Sequence, residues 1–216
     1  MQGAPLFPQL VDIPVPAYYF ELIGTAIFAI TGVLVVARRG LDMFGALMLG
    51  IVTALGGGTV RDLMIRAPIF WFIDFNYVWA AMLGALLAFW LGPLLRSTYG
   101  ALLYLDGLGA ALFAIAAASK VLAFGYGGPI AVMMGILTGI GGGLIRDVLA
   151  GRPTLLMSRE IYATPILAGC TVFVLLRGMT ETFGYAGFAG AAVIFIGRAL
   201  AIRFHLEIPA WLTHQR

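Results

Sequence analysis

Long apolar stretches follow one another along almost the whole chain, separated by short segments that contain glycine, proline or charged residues. Each stretch has about 20 residues, which is the length of an α-helix that crosses a bilayer. Hydrophobic residues make up 62% of the chain and charged residues only 11%, whereas soluble domains contain about 25% charged residues. The sequence therefore predicts an all-α membrane protein without a soluble domain.

The apolar stretches predict seven transmembrane spans between an N-terminal segment, residues 1–17, and a tail, residues 204–216. Numbered 1 to 7, the spans are Tyr18–Ala37, Leu41–Ile65, Asn76–Leu95, Ala101–Leu122, Gly128–Ala150, Ile161–Leu176 and Tyr185–Ile202. Because the N-terminus lacks a basic n-region, no cleaved signal peptide is expected.

Basic residues are distributed unequally between the two sides of the predicted spans. Loops that carry more Lys and Arg normally lie in the cytoplasm. With the N-terminus outside, the inside holds Arg38, Arg39, Arg96, Arg152, Arg159, Arg203 and Arg216, and the outside holds Arg66, Lys120 and Arg177. This predicts an extracytoplasmic N-terminus and a cytoplasmic tail. Since the charges are scattered, the net charge of +3 does not indicate nucleic acid as a partner.

The chain contains an internal repeat, in which residues 21–84 align without a gap with residues 106–169. Many matches are glycine or alanine, which coincide easily in such a composition. The informative matches pair rarer residues: Phe28 with Phe113, Arg61 with Arg146, Asp62 with Asp147, Pro68 with Pro153 and Tyr77 with Tyr162. The repeat predicts two related units, residues 18–97 and 100–178, with a seventh helix at residues 184–203.

Each predicted unit has three spans, so the chain enters the second unit from the opposite side of the membrane. The units are then inverted about a pseudo-two-fold axis in the membrane plane, as in many transport proteins. The sequence thus predicts two inverted three-helix repeats plus a seventh transmembrane helix.

Each repeat contains a glycine triplet. The triplets are Gly56, Gly57 and Gly58 in span 2 and Gly141, Gly142 and Gly143 in span 5. A glycine in a helix interior costs about 1 kcal/mol relative to alanine, so three in succession weaken the helix. A break would expose backbone groups, which membranes tolerate where they line a polar cavity. A pore-lining kink is the favoured interpretation, and close helix packing through small residues is the alternative.

An arginine and an aspartate follow each triplet within apolar sequence: Arg61 and Asp62, then Arg146 and Asp147. A charge at the bilayer centre costs at least about 2.5–3.5 kcal/mol, so such side chains face a cavity or a partner. Neighbours on a helix point about 100° apart, which favours pairing between the repeats, Arg61 with Asp147 and Arg146 with Asp62. Alternatively, the four residues lie at helix ends and extend to the membrane surface.

Three more charged residues fall within the predicted spans. Glu21 and Asp106 begin spans 1 and 4 at equivalent positions. Stabilisation by the helix macrodipole explains them, and a vestibule that attracts cations is the alternative. Lys120 has no counterpart, because Val35 occupies the equivalent position. It either extends to the membrane surface or acts in gating, by sensing voltage or blocking a pore.

Two threonines, Thr53 and Thr138, precede the glycine triplets at equivalent positions. Their hydroxyl groups could line a pore. They could equally bond to the helix backbone and ease a bend, and the sequence leaves both interpretations open.

Signatures of enzymes and metal sites do not occur in the sequence. Cys170 is the only cysteine, and the two histidines, His205 and His214, have no third ligand near them. Gly-x-Ser-x-Gly, His-Glu-x-x-His and phosphate-loop motifs do not occur. The chain is therefore expected not to be an enzyme and to need no cofactor.

The doubled Gly-Gly-Gly-x-x-Arg-Asp motif, in a chain of seven predicted spans, resembles the prokaryotic branch of the trimeric intracellular cation (TRIC) channel family. The resemblance covers about residues 18–202, and a single triplet would not have been specific. It implies a homotrimer with one pathway inside each protomer, lined by glycine-bent spans 2 and 5. Permeability to monovalent cations, potassium foremost and sodium also, is implied as well, and membrane lipid is a further candidate ligand.

The resemblance also bears on gating and location. Lys120 is similar to the fourth-helix lysine implicated in gating of animal members, although the residues around it differ. Short chains of this kind resemble the bacterial members, which implies the bacterial inner (plasma) membrane.

Two functions are compatible with the predicted architecture. One is a passive, potassium-permeable channel, and the other is a secondary transporter for a small solute such as glycine, since related sequences have been labelled glycine-transporter-like. Inverted repeats with broken helices suit both. The resemblance favours the channel.

Overall fold

The computed structural model describes residues 14–37, 42–95, 99–158, 161–180 and 183–206. The described residues fold into α-helices joined by short segments. In chain order these are α1 Val15–Val36, α2 Met43–Met64, α3 Phe70–Ile73, α4 Asn76–Leu95, α5 Tyr99–Ala123, α6 Gly128–Leu149, α7 Ala163–Thr180 and α8 Phe183–Phe204, with a 3₁₀ turn at Leu155–Met157.

Six helices, α1, α2, α5, α6, α7 and α8, are long and apolar enough to cross a membrane, and α4 contains a shorter apolar stretch, Asn76–Trp90. Predicted spans 1, 2 and 3 correspond to α1, α2 and α4, and spans 4 to 7 correspond to α5 to α8. Large apolar side chains such as Trp90 and Met179 are exposed on the outer surface. An all-helical membrane protein surrounded by lipid explains that surface.

The sequence explains where several helices begin. Proline is favoured in the first turn of a helix, where no amide partner is lost, and Pro16 and Pro129 occupy the first turns of α1 and α6. Asp42 caps α2, because its carboxylate accepts a hydrogen bond of 2.9 Å from the amide of Gly45. An aspartate at this position satisfies an otherwise unpaired backbone donor.

Helices α2 and α6 end in the same way, directly after their Arg-Asp pairs. Arg66 and Gly151, at equivalent positions, have φ angles of +55° and +56°. At the end of α2, the Ala67 amide donates to the Asp62 carbonyl at 2.8 Å, and the Asp147 carbonyl accepts the equivalent bond at 2.9 Å. These are Schellman motifs. They turn each chain back toward the Arg-Asp pair that precedes it.

The centre of the molecule is formed by α1 and α5. Within their most apolar stretches, 67% of α1 and 72% of α5 is buried, against 28–44% for the other membrane-length helices. Helix α1 packs against α2, α4 and α5, while α5 packs against α6, α7 and α8. The rings of Phe28 and Phe113, at equivalent positions of the repeat, pack 5.4 Å apart between the two helices.

Part of the predicted membrane orientation depends on residues outside the described part of the chain, namely Arg38, Arg39, Arg96, Arg159 and Arg216. Residues 1–13 and 207–216 of the predicted terminal segments also lie outside it. The assignment of Lys120 to an external segment was wrong, because this side chain is buried within α5. The orientation itself stays a prediction.

Candidate functional site

Eight charged side chains are buried in the part of the chain that the structure describes. The acids are Glu21, Asp62, Asp106 and Asp147, and the bases are Arg61, Lys120, Arg146 and Arg198. Each is at most 4% exposed. Charges are rarely buried without partners, and here four negative and four positive groups balance formally.

A first network joins Glu21, Arg61, Asp62, Tyr77 and Lys120. The Arg61 guanidinium donates to Glu21 at 2.5 Å and to Asp62 at 2.8 Å, while the Lys120 ammonium contacts the same oxygen of Asp62 at 2.8 Å. The Tyr77 hydroxyl donates to Glu21 over 3.4 Å. The first network therefore contains two acids and two bases.

A second network joins Asp106, Arg146, Asp147 and Tyr162 at the equivalent positions. The Arg146 guanidinium donates to Asp106 at 2.7 Å and to Asp147 at 2.9 Å. The Tyr162 hydroxyl donates to Asp106 at 2.8 Å. Arg146 also donates to the Thr31 hydroxyl, on α1, at 3.0 Å. The second network repeats the ion pairs and the tyrosine contact of the first, but it has the additional bond to Thr31 and no lysine on its motif aspartate.

Each motif aspartate also binds the segment that follows its helix. The second carboxylate oxygen of Asp62 accepts from the Phe70 amide at 2.9 Å, and that of Asp147 accepts from the Leu155 amide at 3.1 Å. The Schellman motifs make this possible, because they return the chain to the helix end. The repeated aspartates thus tie α2 and α6 to the segments after them.

The predicted pairing between the repeats was wrong. Arg61 pairs with Asp62 and Arg146 with Asp147, and each arginine also binds the acid at the start of its own repeat. An arginine side chain is long enough to bend back so that its Nε reaches the next residue, which compensates for the angle between neighbours. The alternative of side chains extended to the membrane surface also fails, because all four are buried.

The placement of Glu21 and Asp106 at helix starts, and with it the explanation by the helix macrodipole, was wrong as well, whereas a role of these acids in attracting cations stays a prediction. Glu21 lies two turns inside α1 and Asp106 two turns inside α5, and each is buried against an arginine. Lys120 does not extend to the surface but pairs with Asp62. A role for Lys120 in gating stays a prediction.

The glycine triplets do not break their helices, since α2 and α6 are continuous through Gly56–Gly58 and Gly141–Gly143. They instead bring the two helices into backbone contact. A Cβ atom on Gly57 would lie 2.7 Å from the Thr138 carbonyl oxygen, and one on Gly142 would lie 2.6 Å from that of Thr53. The predicted break in the helices was therefore wrong and the close packing is observed, whereas the lining of a pore by the triplets stays a prediction.

The hydroxyl groups of Thr53 and Thr138 bond to the backbone of their own helices. Thr53 donates to the Leu49 carbonyl at 2.6 Å and Thr138 to the Met134 carbonyl at 2.7 Å. Both threonines are buried. Of the two open interpretations, bonding to the helix backbone is the one that the contacts satisfy.

Arg198, on α8, was missed by the sequence reasoning. Its guanidinium lies 4.5 Å from the ring centre of Tyr162 and donates to the Ile161 carbonyl at 2.7 Å. Its Nε and Nη2 atoms are buried without a hydrogen-bond partner in the described residues. The signal was available, since a single arginine inside an apolar span is a functional candidate by default.

The two tyrosines provide a matched pair for mutation. We expect Tyr162→Phe to lower stability by about 1.5–3 kcal/mol, the range for a hydrogen bond to a charged group. Tyr77→Phe should lower it less, because the bond from Tyr77 to Glu21 is 3.4 Å and that from Tyr162 to Asp106 is 2.8 Å. Thermal unfolding of the detergent-purified variants measures both. Equal losses would contradict the assignment of a stronger bond to the second network.

Comparison with known proteins identifies relatives over most of the chain. The family model described as Glycine transporter matches twice, at residues 18–93 and 103–178. The UPF0126 inner membrane protein YadS of Escherichia coli K12 is 38% identical over 200 residues, which cover 90% of this chain and 95% of the relative. A UPF0126 membrane protein of Vibrio cholerae is 37% identical over 197 residues, which cover 90% of this chain and 82% of the relative.

Solved structures with the same fold are described as cation channels. The TRIC trimeric intracellular cation channel orthologue from Rhodobacter sphaeroides gives a TM-score of 0.84 at 38% identity, covering 88% of this chain and 98% of that chain. A structure described as the structural basis for conductance through TRIC cation channels gives a TM-score of 0.78 at 32% identity, covering 89% of this chain and 95% of that chain. A prokaryotic TRIC channel in 0.5 M KCl gives a TM-score of 0.81 at 25% identity, covering 89% of this chain and 98% of that chain.

Proposed function

Because the chain belongs to the prokaryotic branch of the TRIC channel family, we propose that it forms a homotrimeric, potassium-permeable cation channel with one pathway inside each protomer. The observation that carries this proposal is the set of four buried carboxylates, arranged in two networks next to the contact of α2 with α6. Acidic side chains along a pathway favour cations over anions through their negative charge.

An inverted arrangement of the two repeats is part of the proposal. Contacts between α2 and α6 are reciprocal, since Gly57 faces Thr138 and Gly142 faces Thr53, which is the equivalent pair with its roles exchanged. A two-fold relation produces reciprocal contacts of this kind. From Thr53 to Gly57 along α2, the facing residue on α6 changes from Gly142 to Thr138, so the two helices run in opposite directions. This supports seven spans with inverted repeats.

The proposed pathway passes the two networks and is closed where α2 and α6 touch. At that point a Cβ atom on Gly57 would lie 3.0 Å from the backbone nitrogen of Gly142, so the backbones leave no space for an ion. Cations can pass when the two helices separate. At this contact small residues hold the helices together by packing alone, without side chains that interlock. A reversible separation here therefore breaks van der Waals contacts and no hydrogen bond between side chains.

The finer features of the proposal come from the family and the sequence. They are potassium over other cations, a trimer of identical chains in contact with membrane lipid, and a bacterial inner membrane location with the N-terminus outside. Lys120 and Asp62 are the proposed gating pair, because their contact joins α5 to α2.

A planar-bilayer recording of the purified protein tests the proposal. We expect discrete unitary currents whose reversal potential follows the potassium gradient and is unaffected by replacing chloride. Stoichiometric, saturable uptake of glycine without unitary currents would overturn the channel in favour of a transporter. Chemical crosslinking in native membranes, with trimers as the expected product, tests the oligomer separately.

We expect Asp62→Asn to reduce the preference of these currents for potassium over chloride by at least about threefold, because it removes one negative charge and leaves Lys120 without its partner. A loss of about 0.65 kcal/mol of selective stabilisation corresponds to a factor of about three, since 1.36 kcal/mol corresponds to a factor of ten. Reversal potentials in a potassium chloride gradient give the ratio. Met179→Leu, at an outer position that is 81% exposed, is the control, and a ratio unchanged in both variants would exclude Asp62 from the pathway.

A further inference from the structure

The two networks differ in one cation. In the first network the Lys120 ammonium lies 2.8 Å from an Asp62 carboxylate oxygen, and that oxygen also binds the Nε of Arg61. In the second network the equivalent oxygen of Asp147 binds the Nε of Arg146 in the same way. The repeat puts Val35 where Lys120 stands, so among the described residues no ammonium pairs with Asp147.

Contacts between α1 and α6 locate Val35 in the fold. The Thr31 hydroxyl, one turn earlier on α1, accepts a hydrogen bond from Arg146 at 3.0 Å. Residues four positions apart lie on the same face of a helix, so Val35 belongs to the face of α1 that meets the second network. Val35 is buried and 7% exposed. By the repeat, its short apolar side chain takes the position that Lys120 has in the other copy.

The surroundings of Asp147 contain a further polar group without a partner. Thr154, directly before the residue whose amide binds Asp147, is 9% exposed, and its hydroxyl oxygen has no hydrogen-bond partner in the described residues. A buried hydroxyl without a partner is costly. Asp147 and Thr154 together offer carboxylate and hydroxyl oxygens, and hard cations prefer oxygen ligands.

The charges in the two networks also indicate a cation at Asp147. Glu21, Arg61, Asp62 and Lys120 sum to zero in the first network. Asp106, Arg146 and Asp147 sum to one negative charge in the second. Arg198 lies close to this network, 4.5 Å from the centre of the Tyr162 ring, but it pairs with no carboxylate among the described residues. Asp147 therefore has one basic partner where Asp62 has two, and a further cation would stabilise this buried carboxylate.

We propose that Asp147, with Thr154, binds one exchangeable monovalent cation, potassium or sodium, at the place equivalent to the Lys120 ammonium. Each protomer then has one tethered cation, on Asp62, and one exchangeable cation, on Asp147. This inference rests on the proposed cation channel and identifies where the permeant ion binds. The Asp147 side chain is 5% exposed and that of Asp62 is 0% exposed, so Asp147 is the more accessible of the two to an entering ion.

Thermal unfolding in detergent tests the site without requiring currents. Purified protein is melted in potassium chloride, in sodium chloride and in N-methyl-D-glucamine chloride at equal ionic strength. We expect a small cation to raise Tm by about 3 °C over N-methyl-D-glucamine, since a ligand that binds only the folded state stabilises it. Asp147→Asn should abolish this rise, whereas the matched control Asp62→Asn should keep it even if its Tm is lower in every salt.

For a second variant we expect a larger cation-dependent rise in Tm. Lys120→Met leaves Asp62 without its ammonium, so Asp62 becomes a second site and the rise in Tm should increase to about twice the wild-type value. If Asp147→Asn does not fold, Val35→Lys tests the same carboxylate, because a tethered ammonium should remove the rise. A rise that survives Asp147→Asn unchanged, or one that Lys120→Met does not enlarge, would overturn the inference.

The outcomes separate this inference from the proposed function. Wild-type protein that conducts potassium but shows no potassium-dependent rise in Tm overturns the site and leaves the channel. Wild-type protein that shows the rise, sensitive to Asp147→Asn, but passes no unitary current supports the site and overturns the channel.

Discussion

Gly57→Ala is expected to destabilise the protein by about 1–2 kcal/mol, although alanine is the better helix former. The added Cβ atom would lie 2.7 Å from the Thr138 carbonyl oxygen and 3.0 Å from the Gly142 nitrogen. Both atoms belong to the backbone of α6, so no side chain can move aside. Overpacking of this kind costs about 1–3 kcal/mol, and the helix propensity gained offsets at most about 1 kcal/mol.

The matched control is Gly56→Ala, one residue earlier in the same triplet. Its Cβ atom would meet the end of the Ile145 side chain at 2.7 Å, which can change rotamer, so we expect little loss or a small gain in stability. Thermal unfolding of both variants in the same detergent gives the comparison. Equal Tm values would show that α2 and α6 are not in backbone contact at Gly57.

Recordings of the same variant test the proposed gate. If cations pass when α2 and α6 separate, a methyl group between them should destabilise the closed contact and raise the open probability. The unitary conductance should change less than the open probability, because the networks that attract cations are intact. A variant that melts earlier but opens as rarely as wild type would make the contact a permanent part of the fold.

The positions of the helices could be predicted from the sequence because in a membrane the length of an apolar run determines the length of a helix. The span predicted at Asn76–Leu95 coincides with α4. Span 6 was placed at Ile161–Leu176, whereas α7 covers Ala163–Thr180. The predicted span ended before Arg177, because a charge was taken as the end of the apolar run. An arginine in the last turn of a helix is, however, favoured by the helix dipole.

The members of the candidate site could be predicted, but most of their partners could not. Glu21 and Asp106 were identified by the repeat, yet their burial against Arg61 and Arg146 depends on how α1 packs on α2 and α5 on α6. The direction of an arginine side chain is likewise not determined by the 100° between neighbours. Arg198 lies outside the repeat, so the alignment that identified the other residues gave no signal for it.

Arg146→Leu is expected to have the largest effect of all on stability, a loss of about 3–5 kcal/mol, which is the range for breaking a buried ion pair by removing one partner. Arg146 is the base that pairs with both Asp106 and Asp147. In the variant, the partners that these carboxylates retain among the described residues are the Tyr162 hydroxyl and the Leu155 amide. Two negative charges would then be buried without a basic partner from the described chain.

Arg61→Leu makes the same change in the first network and is the matched comparison. Here Lys120 still pairs with Asp62 at 2.8 Å, so only Glu21 loses its cation and the loss should be smaller by at least about 1 kcal/mol. Thermal or denaturant unfolding in detergent measures both variants, and Arg61→Leu combined with Lys120→Met should approach the loss of Arg146→Leu. If Arg61→Leu alone is as damaging as Arg146→Leu, Lys120 does not compensate Asp62, and the difference between the two networks has no energetic consequence.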